Sequence, residues 1–182
     1  MDADSIRINL TLSRYLDQPL KEVLIPHIYA KPGTAEEGSF IPISVRLPSG
    51  EQGRKFPTVM TIFGLDGYRT EHLNSSNFHL ARGWASIGIE IPGTGDCPAD
   101  PQDPTSPDRL WSSALDWVHQ QDWVDSAKFV AWGVSCGGYY AMRLAHTHKD
   151  RVAGVVAQGG GCHYMFDPEW LNIASHMEYP FE

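Results

Sequence analysis

The stretch GVSCG at residues 133–137 decides the fold of this chain. It follows the apolar run FVAW at residues 129–132 and leads, after one more glycine, into YYAMRLA at residues 139–145. A strand, then G-x-S-x-G, then a helix is the order that a nucleophile elbow requires. The pattern predicts that Ser135 lies at the apex of a tight turn between a buried strand and a helix. The positive N-terminal end of that helix would then point at the serine hydroxyl.

A glycine-rich turn without chemical function is the structural alternative for this motif, because a bare G-x-S-x-G occurs by chance in many unrelated chains. The context favours the elbow. The residues two positions before and after Ser135 are both glycine, as a strained turn with no room for side chains demands.

Composition excludes several classes of protein. The 182 residues fit a single domain, predicted to span residues 1–182. Fourteen basic against 22 acidic residues give a formal charge of −8, which argues against a nucleic-acid binder and against an anionic-membrane binder. No apolar run approaches the ~20 residues of a membrane span, and the start, MDAD, lacks the plan of a secretory signal. Three cysteines do not indicate a disulfide framework, so we expect a cytoplasmic protein.

Strands and helices alternate along most of the chain. Strands are predicted at residues 23–30, 40–47, 58–63, 84–91, 129–134 and 152–157, and helices at residues 72–82, from 107 onward and at 137–147. The first two strands are predicted to form an antiparallel hairpin at a sheet edge. The later strands are near-continuous apolar runs, typical of a parallel sheet buried on both faces. The predicted fold class is therefore α/β, a mostly parallel sheet with helices on both faces.

Four glycine-rich loops should meet at one rim of this sheet, since ligands bind beyond the carboxyl ends of parallel strands. They are the elbow and the loops at residues 64–67, 92–96 and 159–163. Glycines that simply end strands are the alternative for any single loop, but four together favour a binding site. The chain has no phosphate-binding glycine motif of the Walker or dinucleotide type, so the sequence gives no support to a phosphate site.

Ser135 is the candidate nucleophile of this site. An oxyanion hole needs two backbone N–H groups directed at the developing negative oxygen. The residue after the nucleophile, Cys136, would supply one, and Leu65 or Gly64 in the loop after the third strand would supply the other. Cys136 is expected to begin the helix rather than to act as a second nucleophile. Asp66, in the same loop as Leu65, is predicted to contact substrate.

The general base is not evident. Four histidines follow the elbow: His146, His148, His163 and His176. The first two fall at the far end of the elbow helix. His163 follows the glycine run and is predicted to contact substrate, and His176 lies in the last twenty residues. The Cys162-His163 pair has no second spaced pair, so no metal is expected, and no cofactor is predicted.

Several motifs in order resemble one family. They are IPH at 25–27, IP at 41–42, VRLP at 45–48, GLDGYR at 64–69, IPGTGD at 91–96, the elbow, and GGGCH at 159–163. Together they resemble the fungal α/β-hydrolases of the yellowish-green type, which serve polyketide pigment pathways and clusters of the fusarin and cytochalasan kind. The resemblance implies an α/β-hydrolase fold, a Ser-Asp-His triad, and cleavage of a C–C or ester-like bond beside a carbonyl of a polyketide-like substrate.

The chain departs from that family at both ends. Residues 1–20 form only a short N-terminal extension, and residues 162–182 correspond to the start of a lid, so the sequence is interpreted as a C-terminally truncated hydrolase domain. Only the serine and the oxyanion loops carry over. Two hypotheses follow: a serine hydrolase of secondary metabolism, with a homodimer as one option for its assembly, or a catalytically inactive remnant that acts as a binding module.

Overall fold

The computed structural model describes residues 3–32, 37–50, 53–162 and 167–174. The strands are β1 (Lys21–Pro26), β2 (Phe40–Arg46), β3 (Phe56–Ile62), β4 (Ala85–Ile89), β5 (Val124–Val134) and β6 (Gly154–Gln158). The helices are α1 (Ala3–Ser13), α2 (Leu73–Ala81), α3 (Ser106–His119), α4 (Cys136–Thr147) and α5 (Pro168–Ala174), with a 3-10 turn at Lys149–Arg151.

The strands form one sheet in the order β1-β2-β4-β3-β5-β6. β1 and β2 pair antiparallel at one edge, which confirms the predicted hairpin, and β2 pairs antiparallel with β4. β4, β3, β5 and β6 run parallel. The apolar runs of β3 and β4 are buried along almost their whole length, because neighbouring strands and helices cover both faces.

Helices cover both faces of the sheet, as the sequence predicts. On one face α3 buries an apolar stripe at helical spacing, with Leu110 and Trp111 fully inaccessible. Complete burial of one such side chain stabilises the fold by about 1.5–3 kcal/mol. On the opposite face, α2 packs against β4, where His79 Nδ1 lies 3.1 Å from Ser86 Oγ. Among the described residues, no helix is long and apolar enough to cross a membrane.

Two sequence predictions are wrong in detail. The first strand ends at Pro26: the amide of Ala30 donates to the carbonyl of His27 at 3.1 Å, so residues 27–30 form a turn. The last strand is not buried on both faces. Among the described strands β6 lies at the edge of the sheet, and Val156 exposes 46% of its surface, because α4 packs against the opposite face of β6 and no described helix covers the face of Val156.

The two ends of the chain are partly described. Helix α1 occupies much of the predicted N-terminal extension, and α5 lies within the predicted lid. Trp170 and Ile173 of α5 are exposed. Whether residues 1–182 form one truncated domain stays a prediction.

Candidate active site

Ser135 occupies a strained position at the apex of the turn between β5 and α4. Its φ of 54° and ψ of −127° place it in a region that L-residues avoid, and it is the one non-glycine residue with positive φ in the described part of the chain. Its amide donates to the carbonyl of Gln158 at 2.8 Å, and its carbonyl accepts from Gly138 at 2.8 Å. The backbone is thus fixed on both sides while the residue itself stays exposed.

The glycines of the elbow are required by close approach of backbone. A Cβ atom on Gly137 would lie 2.6 Å from the carbonyl oxygen of Phe63, and one on Gly133 would lie 2.7 Å from Cβ of Ala141. A Cβ on Gly138 would lie 2.7 Å from Cα of Gly160. Contacts this short cannot exist, so only glycine lets the strand, the turn and the helix pack together here.

The loop after β3 lies against the serine. A Cβ atom on Gly64 would be 2.9 Å from Ser135 Cβ and 3.3 Å from Ser135 Oγ. Leu65 and Asp66 follow and are exposed at the rim, whereas Cys136 is the buried first residue of α4. The structure therefore brings Gly64, Leu65 and Asp66 together with Ser135. Their roles as oxyanion donors and substrate contact stay predictions.

Gly64, Leu65, Asp66 and Ser135 line one cavity of about 370 Å³. Its walls are the loop 64–67, the end of β5 and a part of α2; the lining residues are Thr61, Phe63, Gly64, Leu65, Asp66, Gly67, Ser75, Trp132, Val134 and Ser135. Most of this surface is apolar, with the serine hydroxyl at one side. Such a cavity can hold the apolar part of a small molecule while a carbonyl group approaches Ser135.

Thr61, Ser75 and Trp132 are cavity residues that the sequence analysis missed. Thr61 and Trp132 are register partners on β3 and β5, and they reach the cavity because both side chains point to the α2 face of the sheet. The indole N–H of Trp132 donates to Gln158 Oε1 at 3.0 Å, while the buried Thr61 hydroxyl makes no hydrogen bond with the described residues. The alternation of side chains along β3 and β5 could have predicted which face of the sheet Thr61 and Trp132 occupy. It could not have predicted that they lie beside Ser135.

The lining of this cavity, as far as the chain is described, includes no histidine. His146 is in the last turn of α4, and His148 Nε2 contacts Ser112 Oγ at 2.9 Å on α3. His163 and His176 lie outside the described residues, so the substrate contact predicted for His163 is not placed.

Upstream of the elbow, His72 lies near the cavity, with its ring centroid 5.3 Å from that of Phe63. It is 4% exposed, and burial lowers its pKa to about 4, so the neutral ring is part of the core rather than a base within reach of solvent.

The remaining loops take different positions. Gly160, in the loop after β6, packs against the start of α4, next to Gly138. The loop at residues 92–96 does not line the cavity and instead contacts Arg69 through Asp96. In the described part of the chain, no three His, Cys, Asp or Glu side chains are grouped so as to hold a metal ion.

A strained serine between a parallel strand and a helix, with a second glycine loop from a neighbouring strand beside it, defines the α/β-hydrolase fold. Residues 33–178 match the family described as "Esterase FrsA-like", and the chain belongs to this family of FrsA-like esterases. Esterase FrsA of Klebsiella pneumoniae is 30% identical over 138 residues, which cover 74% of this chain and 32% of the relative. Esterase FrsA of Pectobacterium atrosepticum is 26% identical, over 86% of this chain and 36% of the relative. The chain thus spans about a third of the length of these relatives.

Solved structures agree on the fold. The 2,6-dihydroxy-pseudo-oxynicotine hydrolase superposes with a TM-score of 0.74 at 22% identity, covering 98% of this chain and 45% of that one. AbyA5 superposes with a TM-score of 0.70 at 19% identity, over 94% of this chain and 46% of that one. FphF of Staphylococcus aureus superposes with a TM-score of 0.62 at 18% identity, over 84% of this chain and 62% of that one.

Proposed function

We propose that this chain carries the nucleophile and the oxyanion hole of a serine hydrolase that cleaves an ester or a C–C bond beside a carbonyl group. The observation that carries the proposal is the strained backbone of Ser135, held at φ 54° beside an apolar cavity. A protein retains such strain, of about 1–3 kcal/mol, where the surrounding structure enforces it, and it clusters at active sites.

The proposed chemistry is addition of Ser135 Oγ to the substrate carbonyl carbon, with a proton leaving the hydroxyl and negative charge forming on the carbonyl oxygen. The amides of Cys136 and of Leu65 or Gly64 stabilise that oxygen, supported by the N-terminus of α4. Collapse of the tetrahedral intermediate breaks the ester C–O bond or the C–C bond, and the leaving group takes the proton that the base holds. Water, deprotonated by the same base, then attacks the acyl-enzyme, which releases the acid and returns the proton to Ser135 Oγ. The base that accepts the serine proton is a histidine outside the described cavity lining.

The proposed substrate is a polyketide-like carbonyl compound of fungal secondary metabolism. Two observations support this class: the motif resemblance that runs through the loops at 64–69 and 91–96, and the apolar cavity wall formed by Phe63, Trp132 and Val134. Such a wall accommodates a hydrocarbon chain better than a sugar or a phosphate. Assembly as a homodimer and location in the cytoplasm belong to the same proposal, and analytical ultracentrifugation with fractionation of the producing cells tests them.

Labelling with a fluorophosphonate probe tests the proposed function. The structural neighbour FphF is by name a fluorophosphonate-binding serine hydrolase, which supports the choice of probe. We expect a covalent adduct on Ser135, identified by peptide mass spectrometry and absent in Ser135→Ala. Ser75→Ala, which removes the other serine of the cavity, is the matched control and should still be labelled. A folded wild-type protein that forms no adduct would rule out the proposal that this chain acts as a serine hydrolase.

A binding module without catalysis is the second candidate. The lack of a histidine in the described cavity lining favours it, since a serine without a base is a poor nucleophile. In that case an apolar ketone or ester should bind the wild type and Ser135→Ala with equal affinity, without turnover or labelling. Isothermal titration of both proteins beside the labelling assay separates the two candidates.

A further inference from the structure

A buried arginine stands at the end of the loop that carries the candidate oxyanion donors. Arg69 is 1% exposed, an unusual position for a guanidinium group, and it lies four residues after Leu65. It does not line the cavity at Ser135. Its charge must therefore be compensated inside the fold. The groups that compensate it connect the loop at residues 64–69 to the rest of the sheet.

Three carboxylates from three segments contact Arg69. Its Nη1 lies 2.8 Å from Glu90 Oε2, directly after β4, and its Nη2 lies 3.1 Å from Asp96 Oδ2, in the next loop. Nη2 also pairs with Glu22 on β1. Only an arginine offers several donors in a fixed planar arrangement, so one side chain can hold all three carboxylates at once.

The backbone of Arg69 is held as well. Its carbonyl accepts a 2.6 Å hydrogen bond from Ser44 Oγ on β2, and its amide lies 3.4 Å from Glu90 Oε1. At the opposite end of the loop, Gly64 lies against Ser135 with no room for a side chain. The loop between Gly64 and Arg69 is thus fixed at one end by the nucleophile and at the other by the arginine cluster.

We propose that Arg69 is a positioning residue for the oxyanion hole: by binding Glu22, Glu90 and Asp96 it fixes the loop that places the Leu65 and Gly64 amides beside Ser135. The proposal rests on the proposed function for its catalytic consequence, but not for its structural one. A preorganised donor stabilises a transition state because it needs no reorganisation during the reaction, so loosening the loop should slow the reaction rather than weaken binding.

The test compares Arg69→Gln with Arg109→Gln. Arg109 also pairs with two carboxylates, Glu37 and Asp103, but it lies on α3 and does not contact the loop 64–69. For fluorophosphonate labelling of Ser135, we expect Arg69→Gln to lower the maximal inactivation rate at least tenfold and to leave the probe's half-saturating concentration within twofold. Arg69→Lys should recover part of the rate. Arg109→Gln should leave both values within twofold.

Hydrogen–deuterium exchange of the amides at residues 64–68 is the second readout. We expect exchange there to accelerate at least tenfold in Arg69→Gln, with the amides of β5 unchanged. If the wild type is not labelled, the proposed function fails, and the exchange data alone decide on Arg69. If Arg69→Gln does not fold, Asp96→Asn replaces it, since Asp96 is half-exposed and its loss should still accelerate exchange in the loop. Unchanged exchange at 64–68 in a folded Arg69 variant, or in Asp96→Asn where it takes that variant's place, overturns the proposal.

Discussion

A side chain on Gly64 would collide with Ser135: its Cβ would lie 2.9 Å from Ser135 Cβ and 3.0 Å from the carbonyl oxygen of Val134. Gly64 does not have a positive φ, so alanine is compatible with its backbone and the conflict is purely one of space. We predict that Gly64→Ala displaces the loop from the serine and lowers the rate of fluorophosphonate labelling at least tenfold, or about 1.4 kcal/mol in activation free energy.

The same variant should cost about 1–3 kcal/mol of stability, the range for added volume in a packed site. Urea unfolding followed by fluorescence measures that cost, and the labelling rate is taken below the onset of unfolding. Labelling at the wild-type rate in Gly64→Ala would show that the contact between Gly64 and Ser135 does not affect the reactivity of Ser135.

A second prediction concerns two glycines in neighbouring strands. A Cβ on Gly133 of β5 would collide with the backbone of Gly137 and would lie 2.7 Å from Cβ of Ala141, whereas a Cβ on Gly154 of β6 would meet nothing within 4 Å. Gly133→Ala should therefore destabilise the fold by about 3 kcal/mol or more, because the backbone cannot move aside.

Gly154→Ala is the matched control. It should be neutral or stabilise by about 0.4–1 kcal/mol, since it restricts the unfolded chain without a clash. Thermal unfolding of both variants beside the wild type checks the pair. Equal stability of the two variants would contradict the close packing of α4 against β5.

The sequence predicts most of the fold because its signals are local. The motif around Ser135 needs only the order of a strand, glycines and a helix, and the apolar runs of β3 and β4 give their burial directly. The exposed strand β6 shows the limit. Its run of small and β-branched residues resembles a central strand, but its place at the edge of the sheet depends on pairing that no local pattern encodes.

The cavity shows the same limit. Thr61 and Trp132 are far apart in the chain and meet only because β3 and β5 pair in that register. The cluster at Arg69 also depends on contacts between residues that are far apart in the chain. Glu22 is 47 residues away from Arg69 and lies on the outer strand of the hairpin. Sequence patterns therefore predict the elbow at Ser135, whose geometry is local, and miss the side chains that shape and support its surroundings.

Backbone strain at Ser135 gives a third prediction. Because φ of Ser135 is 54°, both serine and alanine carry a Cβ in an unfavourable position, whereas glycine does not. Ser135→Gly should be more stable than Ser135→Ala by about 1 kcal/mol, near the lower end of the strain expected for such a residue. For a chain of this size that difference corresponds to a rise of about 2–4 °C in Tm.

Differential scanning calorimetry of the two variants measures this difference. Neither variant can be labelled, so the comparison is free of any effect of the reaction. If Ser135→Ala is as stable as Ser135→Gly, the backbone at the elbow is not strained, and the main support for the proposed function is lost.

The buried cluster predicts a dependence of stability on pH. Burial raises the pKa of Glu90 well above its ordinary 4.5, more than Arg69 lowers it, and the hydrogen bond to Asp96 adds to the rise. The other groups that face Glu90 are Glu22, through the shared guanidinium, and the half-buried thiol of Cys97. A raised pKa means that the folded state binds this proton more tightly than the unfolded state. The contribution of Glu90 to stability is therefore complete below pH 4.5 and is lost as the pH rises through the raised pKa.

Glu90→Gln keeps a neutral side chain of the same shape and cannot lose a proton. We predict that the free energy of unfolding of Glu90→Gln, relative to the wild type, increases between pH 5 and pH 8 by about 2 kcal/mol, given about 1.4 kcal/mol for each unit of pKa shift. Urea unfolding at several pH values measures the difference. Parallel curves for the two proteins over this range would mean that Glu90 is ionised throughout.

Glu37→Gln is the control, because the pKa of Glu37 is lowered whereas that of Glu90 is raised. Burial alone would raise the pKa of Glu37, but hydrogen bonds from Arg109, from Ser106 and from the amide of Lys31 outweigh it and lower the pKa to about 2. The stability that Glu37 contributes is present above pH 4.5 and is lost as the pH falls toward 2. The variant should therefore be less stable than the wild type throughout pH 5 to pH 8. Its loss of the Glu37 charge also lowers the pKa of His27 further, which makes the difference depend on pH below 6.5 but not above it. A difference that keeps changing between pH 6.5 and pH 8 in the Glu37 variant, as it does in Glu90→Gln, would show that the slope there does not arise from Glu90.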